Sequence, residues 1–379
     1  MAGAGVSVRA PVRPRWWVPV CAVLLAVATA WWFWQQARTW PTAGLDGRVY
    51  RDAARALLDR GEIYSGRFQD LPFTYPPFAL LVFVPLALVP SDVAALLMFL
   101  ASLAALVAVV RWCQEYATDG RAGSWWWTVS LVAAGSVCVE PARTTLGLGQ
   151  VNLLLLALVL GVDARASRWA GAGAGIATAI KVSPGLLVVA QGVRGDVQAL
   201  GRAILAFAGA TALAALVAPT ASWTYFTSLL WDSTRPGGLG YLQNQSLRGL
   251  FARHSPDHAS TWWLLSALLV LTLGGWVVRR HRADAFYALT AAAVTGLLVS
   301  PISWSHHWVW VVPCLAVGVR LGWRSPVAWM SALLLLATLA EEQLWASGDA
   351  PLLSQDMYVV LGLLWLVASG VERPAPQQG

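Results

Sequence analysis

The sequence predicts an all-α, polytopic membrane protein folded as one integral-membrane domain over residues 1–379, and three observations carry that prediction. Hydrophobic residues fill 58% of the 379 positions and charged residues 12%, about half the charged share of a soluble chain. The apolar residues come in long runs without period-two alternation. In lipid the backbone must satisfy its own hydrogen bonds, so such runs are helices and not barrel strands. Tryptophan marks the run ends: Trp16, Trp17, Trp31, Trp32, Trp34, Trp125 to Trp127, Trp262, Trp263 and Trp308 stand where an amphipathic ring settles at headgroup level.

Twelve spans follow from the runs, over 16–34, 92–111, 125–139, 150–162, 169–182, 185–193, 199–218, 261–278, 285–300, 308–320, 326–345 and 356–371. Residues 1–34 have signal-peptide features, but the apolar run continues through Trp31 to Trp34, which suits an uncleaved first helix. Arginines cluster at span ends: Arg9, Arg13 and Arg15; Arg111 and Arg121; Arg165 and Arg168; Arg194 and Arg202; Arg279, Arg280 and Arg282; Arg320 and Arg324; Arg373. All fall on one side if 75–90, rich in proline, lies at the interface, and if 169–193 is a hairpin broken at Pro184. That side is the cytoplasm, which puts both termini inside a plasma membrane. If 75–90 crosses and 169–193 is a single helix, the total is unchanged but four middle spans exchange ends. The net charge of +7 is therefore a topology signal and not a nucleic-acid footprint. Cys21, Cys113, Cys138 and Cys314 are scattered and frame neither disulfides nor a metal site.

The opposite face receives segments 35–91, 219–260 and 346–355, with tight turns around 140–150, 181–184 and 300–307. These hold most of the polar residues that are not arginine. In the first loop, Asp46 precedes an amphipathic helix with Ala53, Ala54, Leu57 and Leu58 on one face. It reads as a general base at the membrane surface, or as a helix cap alongside Asp52. Glu140 and Arg143 form an ion pair or a phosphate contact at a span end, and Gln150 and Asn152 bind sugar hydroxyls or join helices. Lys181, the only lysine, lies in the small-residue run AGAGIATAIKVSPG, either held by an anion or snorkelling. The segment NQSLRG places Asn244, Gln245 and Arg248 in the second large loop. In SPISWSHHWVW, His306 and His307 diverge by about 100° on a helix, a poor metal pair. Nucleotide, dinucleotide and zinc-protease fingerprints are missing, so the energy for a reaction has to come from an activated substrate on the outer face.

The ordered set LDGRVY and GEIY (45–50, 61–64), FTYPPFALLVFVPLALVP (73–90), GQVN (149–152), IKVSP (180–184), NQSLRG (244–249) and SPISWSHHWVW (300–310) resembles glycosyltransferase family 87, the polyprenol-phosphate-mannose-dependent α-mannosyltransferases of actinobacteria. The resemblance implies a C-type glycosyltransferase architecture and an extracytoplasmic site. It further implies mannose transfer from polyprenyl-phosphate-mannose to a glycolipid or lipoglycan acceptor with inversion, forming an α-(1→2) link. It makes Asp46 the base and gives His306 or His307 a catalytic or phosphate-binding role. Lys181, Arg143 and Arg248 are then the cations for the donor phosphate, with Glu140, Gln150, Asn152, Asn244 and Gln245 on the acceptor side. It implies no metal and no other cofactor. A polyprenyl-phosphoarabinose donor fits the same fold, and a lipid flippase with Lys181 and Glu140 in its path is the alternative of a different class.

Overall fold

The computed structural model describes residues 17–40, 42–121, 123–165, 167–340 and 352–373, which are mostly helical. The basic start Arg9, Arg13 and Arg15, the end of the 326–345 span and most of segment 346–355 lie outside the described residues.

Helix α1 (Trp17–Thr39) leads to α2 (Leu45–Leu58), the amphipathic helix expected in the first loop. Its buried residues are Gly47, Val49, Tyr50, Ala53 and Ala54. Of the face expected from the sequence, Ala53 and Ala54 are buried, Leu57 is half-buried and Leu58 is exposed, because the buried stripe runs one turn nearer the start of the helix. Asp46 lies inside its first turn and not before it. The residue preceding α2 is Gly44, in the left-handed region at φ 69° with no side-chain cap, so the capping alternative for Asp46 is not realised. A two-residue hairpin, β1 (Arg67–Phe68) against β2 (Leu71–Pro72), precedes α3 (Pro77–Ala87). Proline opens α3, and at 11 residues it falls short of the roughly 20 that a crossing needs.

Next come α4 (Ser91–Ala117) and α5 (Trp125–Cys138). The stretch after α5, expected to be a tight turn, is instead a helix, α6 (Glu140–Leu148), because Pro141 pre-sets a new first turn. Gly149, at φ 70°, ends it, and α7 (Asn152–Val162) leaves at 114°. A side chain at 149 would be strained by that φ and would press its Cβ within 3.3 Å of the Gly47 backbone nitrogen in α2. The bend therefore brings α2 and the GQVN segment together.

Helices α8 (Ala172–Ile180) and α9 (Gly185–Arg194) are the two short legs of the expected hairpin, interrupted at 181–184. The Asp163 carboxylate closes the start of α8, accepting from the backbone N–H groups of Gly171, Gly173 and Ala174. The glycines of α8 let it touch α10 (Val197–Val217): a Cβ at Gly175 would sit 2.2 Å from the Ala203 carbonyl. The second large loop carries α11 (Pro219–Thr227) and α12 (Leu247–His254). Then follow α13 (Ala259–Arg280), α14 (Ala285–Val299), a 3-10 segment Ser305–Trp310, α15 (Val311–Leu321), α16 (Pro326–Leu339) and the C-terminal helix Met357–Val371.

Among the described residues four helices are long and apolar enough to cross a membrane: α1, α4, α10 and the stretch Pro256–Arg280 containing α13. The bent pair α6–α7 passes the same test jointly, and six apolar helices of 10–17 residues accompany them. The predicted apolar segments are thus helical where described, but most are shorter than a full crossing.

Candidate active site

Helix α6 with the GQVN turn after it, the break between α8 and α9, and the segment between α14 and α15 converge on the start of α2. Asp46 stands at that convergence, where two cavities meet. A cavity of about 360 Å³ is lined by Asp46, Tyr75, Gln150, Lys181 and His307. A second of about 890 Å³ is lined by Asp46, Glu140, Arg143, Gln150 and His306, with Trp32, Gln36 and Trp40 from the end of α1.

Asp46 Oδ2 accepts a hydrogen bond from Gln150 Nε2 at 2.9 Å. Its surroundings shed enough water to raise its pKa from 3.8 to about 6. Desolvation is the cause, opposed by the Gln150 hydrogen bond and the positive charge of Lys181. A carboxylate poised near neutrality at a cavity junction is suited to taking a proton from a weakly acidic hydroxyl.

Lys181 occupies the break after α8, in extended conformation. Its Nζ donates to Asn152 Oδ1 at 2.8 Å, contacts His307 Nε2 at 3.0 Å and stands 5.3 Å from the Tyr75 ring centre. A charged Lys181 has only protons to give and makes His307 Nε2 the acceptor; among the described residues His307 Nδ1 is buried without a partner. The charge of Lys181 is held by neutral groups and an aromatic face, facing the cavity that Asp46 also lines. His306 and His307 diverge as their spacing requires, lining different cavities. The His306 carbonyl accepts from Thr145 Oγ1 and Asn152 Nδ2, both at 3.1 Å, which ties the histidine segment to α6 and α7.

Glu140 is buried. Its Oε1 accepts from Thr144 Oγ1 at 2.9 Å and Ser305 Oγ at 2.8 Å, and its Oε2 from Tyr358 at 3.0 Å. It therefore joins α6 to the histidine segment and to the C-terminal helix. Arg143, one turn on in α6, lines the larger cavity.

The second-loop residues have different places. Arg248 puts its guanidinium 4.8 Å from the Trp263 ring centre and lines neither cavity, because α12 lies against α13. Asn244 is fully buried: its Nδ2 donates to the carbonyls of Leu239 and Pro301, and its Oδ1 accepts from Ser303 N and Ser246 Oγ. Gln245 is likewise enclosed, donating to the carbonyls of Leu242 and Gln355 and accepting from Tyr358 N. NQSLRG fastens the second loop under the histidine segment, with the cavity wall completed by its neighbour Trp304.

Sequence reasoning missed Tyr50 and Tyr75, whose hydroxyls meet the Gln150 side chain. Both were visible within LDGRVY and FTYPPF, but nothing in their spacing joins residues 25 and 75 positions apart. It also missed Asp356, a buried carboxylate paired with Arg253 and His254 at the base of the second loop. Among the described residues no three His, Cys, Asp or Glu side chains gather to hold a metal ion.

The profile of glycosyltransferase family 87 matches residues 73–301. A Mycobacterium tuberculosis protein described as a polyprenol-phosphate-mannose-dependent α-(1-2)-phosphatidylinositol mannoside mannosyltransferase is 33% identical over 74% of this chain and 71% of its own length. A second from that species, described as the corresponding phosphatidylinositol pentamannoside mannosyltransferase, is 33% identical over 86% of this chain and 81% of its own. The crystal structure of ArnT from Cupriavidus metallidurans bound to undecaprenyl phosphate is 17% identical, spanning 93% of this chain and 77% of that one, with a TM-score of 0.37.

Proposed function

This chain belongs to glycosyltransferase family 87, and from that premise we propose that it transfers mannose from polyprenyl-phosphate-mannose to a phosphatidylinositol mannoside, forming an α-(1→2) link with inversion. The observation that carries the reading is the position of Asp46 where two cavities of different character meet. Asp46 takes the proton of an acceptor hydroxyl, and that oxygen bonds to the anomeric carbon of a β-linked mannosyl phosphate. The carbon–oxygen bond to phosphate breaks, and polyprenyl phosphate leaves with the electron pair.

Charge develops on the leaving phosphate, and a cation with neutral partners is suited to receive it. Lys181 meets that need, so the smaller cavity takes the donor phosphate, with His307 beside it. The larger cavity carries Arg143 for the acceptor's inositol phosphate, and Trp32 and Trp40 for apolar sugar faces. Asn152 acts by fixing Lys181, and Glu140 by fixing α6 against the histidine segment.

In this reading the chain has the C-type architecture. Its twelve apolar segments cross the plasma membrane while α3 rests at the outer surface, and both termini are cytoplasmic. Support comes from the arginines at 279, 280 and 282, which stand at the end of α13 and start of α14 away from Ser300 and the site. The test supplies purified protein with polyprenyl-phosphate-mannose or polyprenyl-phosphoarabinose and a phosphatidylinositol mannoside acceptor. Mannosylated product is expected; transfer of arabinose alone overturns the donor assignment. Labelling of cysteines placed at residues 120 and 235 from each side of intact cells tests the topology. Position 235 reacting from outside and 120 only after permeabilisation is the expected pattern, and the reverse overturns it.

A further inference from the structure

Gln150 spends its side chain inside the site and is not left open to a sugar. Its Nε2 donates to Asp46 Oδ2 at 2.9 Å, while its Oε1 receives the hydroxyls of Tyr50 at 2.8 Å and Tyr75 at 2.9 Å. The two phenols determine which way the amide faces. Reversed, it would turn its oxygen toward the Asp46 carboxylate, acceptor against acceptor. The hydroxyls also stand 2.8 Å from each other, so two phenolic protons serve three short contacts. Only one proton can lie between the hydroxyls, so every arrangement leaves at least one on Gln150 Oε1. The clamp is rigid on both sides. Tyr50 is stacked on Phe83 with ring centres 4.3 Å apart, and the Gln150 backbone donates to the Thr145 carbonyl and accepts from Ser102 Oγ.

We propose that Gln150, locked by Tyr50 and Tyr75, is a positioning residue that holds Asp46 Oδ2 and leaves Oδ1 as the oxygen that takes the acceptor proton. Among the described residues Oδ1 accepts no hydrogen bond, and Asp46 lines both cavities. The inference rests on Asp46 being the base. It moves Gln150 from the acceptor-binding set to the machinery behind the base, and gives Tyr50 and Tyr75 a place in that machinery.

A donor beside a carboxylate favours its ionised form, so losing the donor makes the base harder to deprotonate. Among the described residues the other ionisable groups around Asp46 are Lys181, His307, Asp232 and Tyr225 at one cavity, Arg143, Glu140 and His306 at the other, and Tyr50 and Tyr75 behind the amide; Arg48, on the same helix, is paired with Asp92. None of them changes in the Gln150 variant.

The experiment measures kcat and KM from pH 5 to 9 for the full chain in lipid nanodiscs, with polyprenyl-phosphate-mannose and a phosphatidylinositol mannoside. The variants are Gln150→Met, the double change Tyr50→Phe with Tyr75→Phe, and Asp46→Asn. In the first two, the acidic limb of kcat is expected to move up by about one pH unit, so that the loss is several-fold larger at pH 6 than at pH 8.5. The acceptor KM is expected to stay within about two-fold of wild type. An unmoved limb with equal loss at every pH overturns the inference, as does a loss confined to acceptor KM, which direct sugar contact produces. Should Gln150→Met fail to fold, the double tyrosine variant decides on the same criteria. Activity in Asp46→Asn defeats the base assignment itself. An inactive Asp46→Asn beside an unmoved limb defeats only the role of Gln150.

Discussion

Replacing Asp46 by Asn keeps the size of the side chain and an oxygen for Gln150 Nε2, but removes the charge and the capacity to take a proton. Loss of a general base lowers a rate by about 10²–10⁴-fold, and that is the expected fall in kcat. The same change has a second effect, of opposite sign, on stability. Burial raises the Asp46 pKa from 3.8 to about 6, so between those values the folded chain holds the proton more tightly than the unfolded chain. Stability therefore falls as pH rises through that window and stays lowered above it. At 1.36 kcal/mol per unit, the cost at pH 7.5 is about 3 kcal/mol, an upper bound because water in the cavities screens the charge. The Asn variant escapes this cost. Its thermal midpoint in detergent should exceed that of wild type at pH 7.5, and the two should converge near pH 4. An Asn variant that transfers mannose at near wild-type rate refutes the base. One that melts below wild type by the same margin at pH 7.5 and pH 4 refutes the claim that the site pays for a desolvated carboxylate.

The pH dependence of the wild-type enzyme follows from the same value: with its limb near 6, kcat at pH 5 should be about one-tenth of its plateau, and a limb below pH 4.5 would contradict the desolvated base. Lys181→Met removes the cation of the donor cavity and should lower kcat/KM for the donor by about 100-fold, measured at saturating acceptor; a change confined to the acceptor KM would reverse the assignment of the cavities. Asp356→Asn leaves Arg253 buried without its counter-charge and should destabilise the protein by about 3 kcal/mol in thermal melts, while kcat of the folded fraction persists, since Asp356 lines neither cavity. Gly149→Ala forces an L side chain into a left-handed backbone and crowds Gly47. It should cost about 1–2 kcal/mol and reduce kcat at least about ten-fold by displacing Gln150, with unchanged kcat as the contrary result.

Much of the fold was legible because helices in lipid are written locally. Apolar runs, flanking tryptophans and prolines placed most element boundaries within a few residues, including the non-crossing length of α3 and the break before Pro184. The stretch 140–150 misled because its polar composition, Glu140, Arg143, Thr144 and Thr145, looks like a loop. Glu140 and Thr145 are instead satisfied by partners far along the chain, at Ser305, Tyr358 and the His306 carbonyl. Arg248 misled for the converse reason: a cation in a polar loop motif looks available, yet Trp263 lies under it.

The resemblance of the ordered motifs supplied Asp46 as candidate base, whereas by itself the sequence determined the membrane class, the helical composition and the clustering of arginines at the ends of apolar runs. Those are properties of composition and periodicity, which a linear string carries in full. Only the tertiary structure decided which polar residues meet. It set Lys181 against Asn152 and His307, gave the two histidines to separate cavities, and turned the Gln150 amide onto Asp46, with Tyr50 and Tyr75 behind it. Those contacts join residues up to 126 positions apart. Spacing along the chain fixes which residues share a helix face, but it carries no information on which bends bring separate helices together.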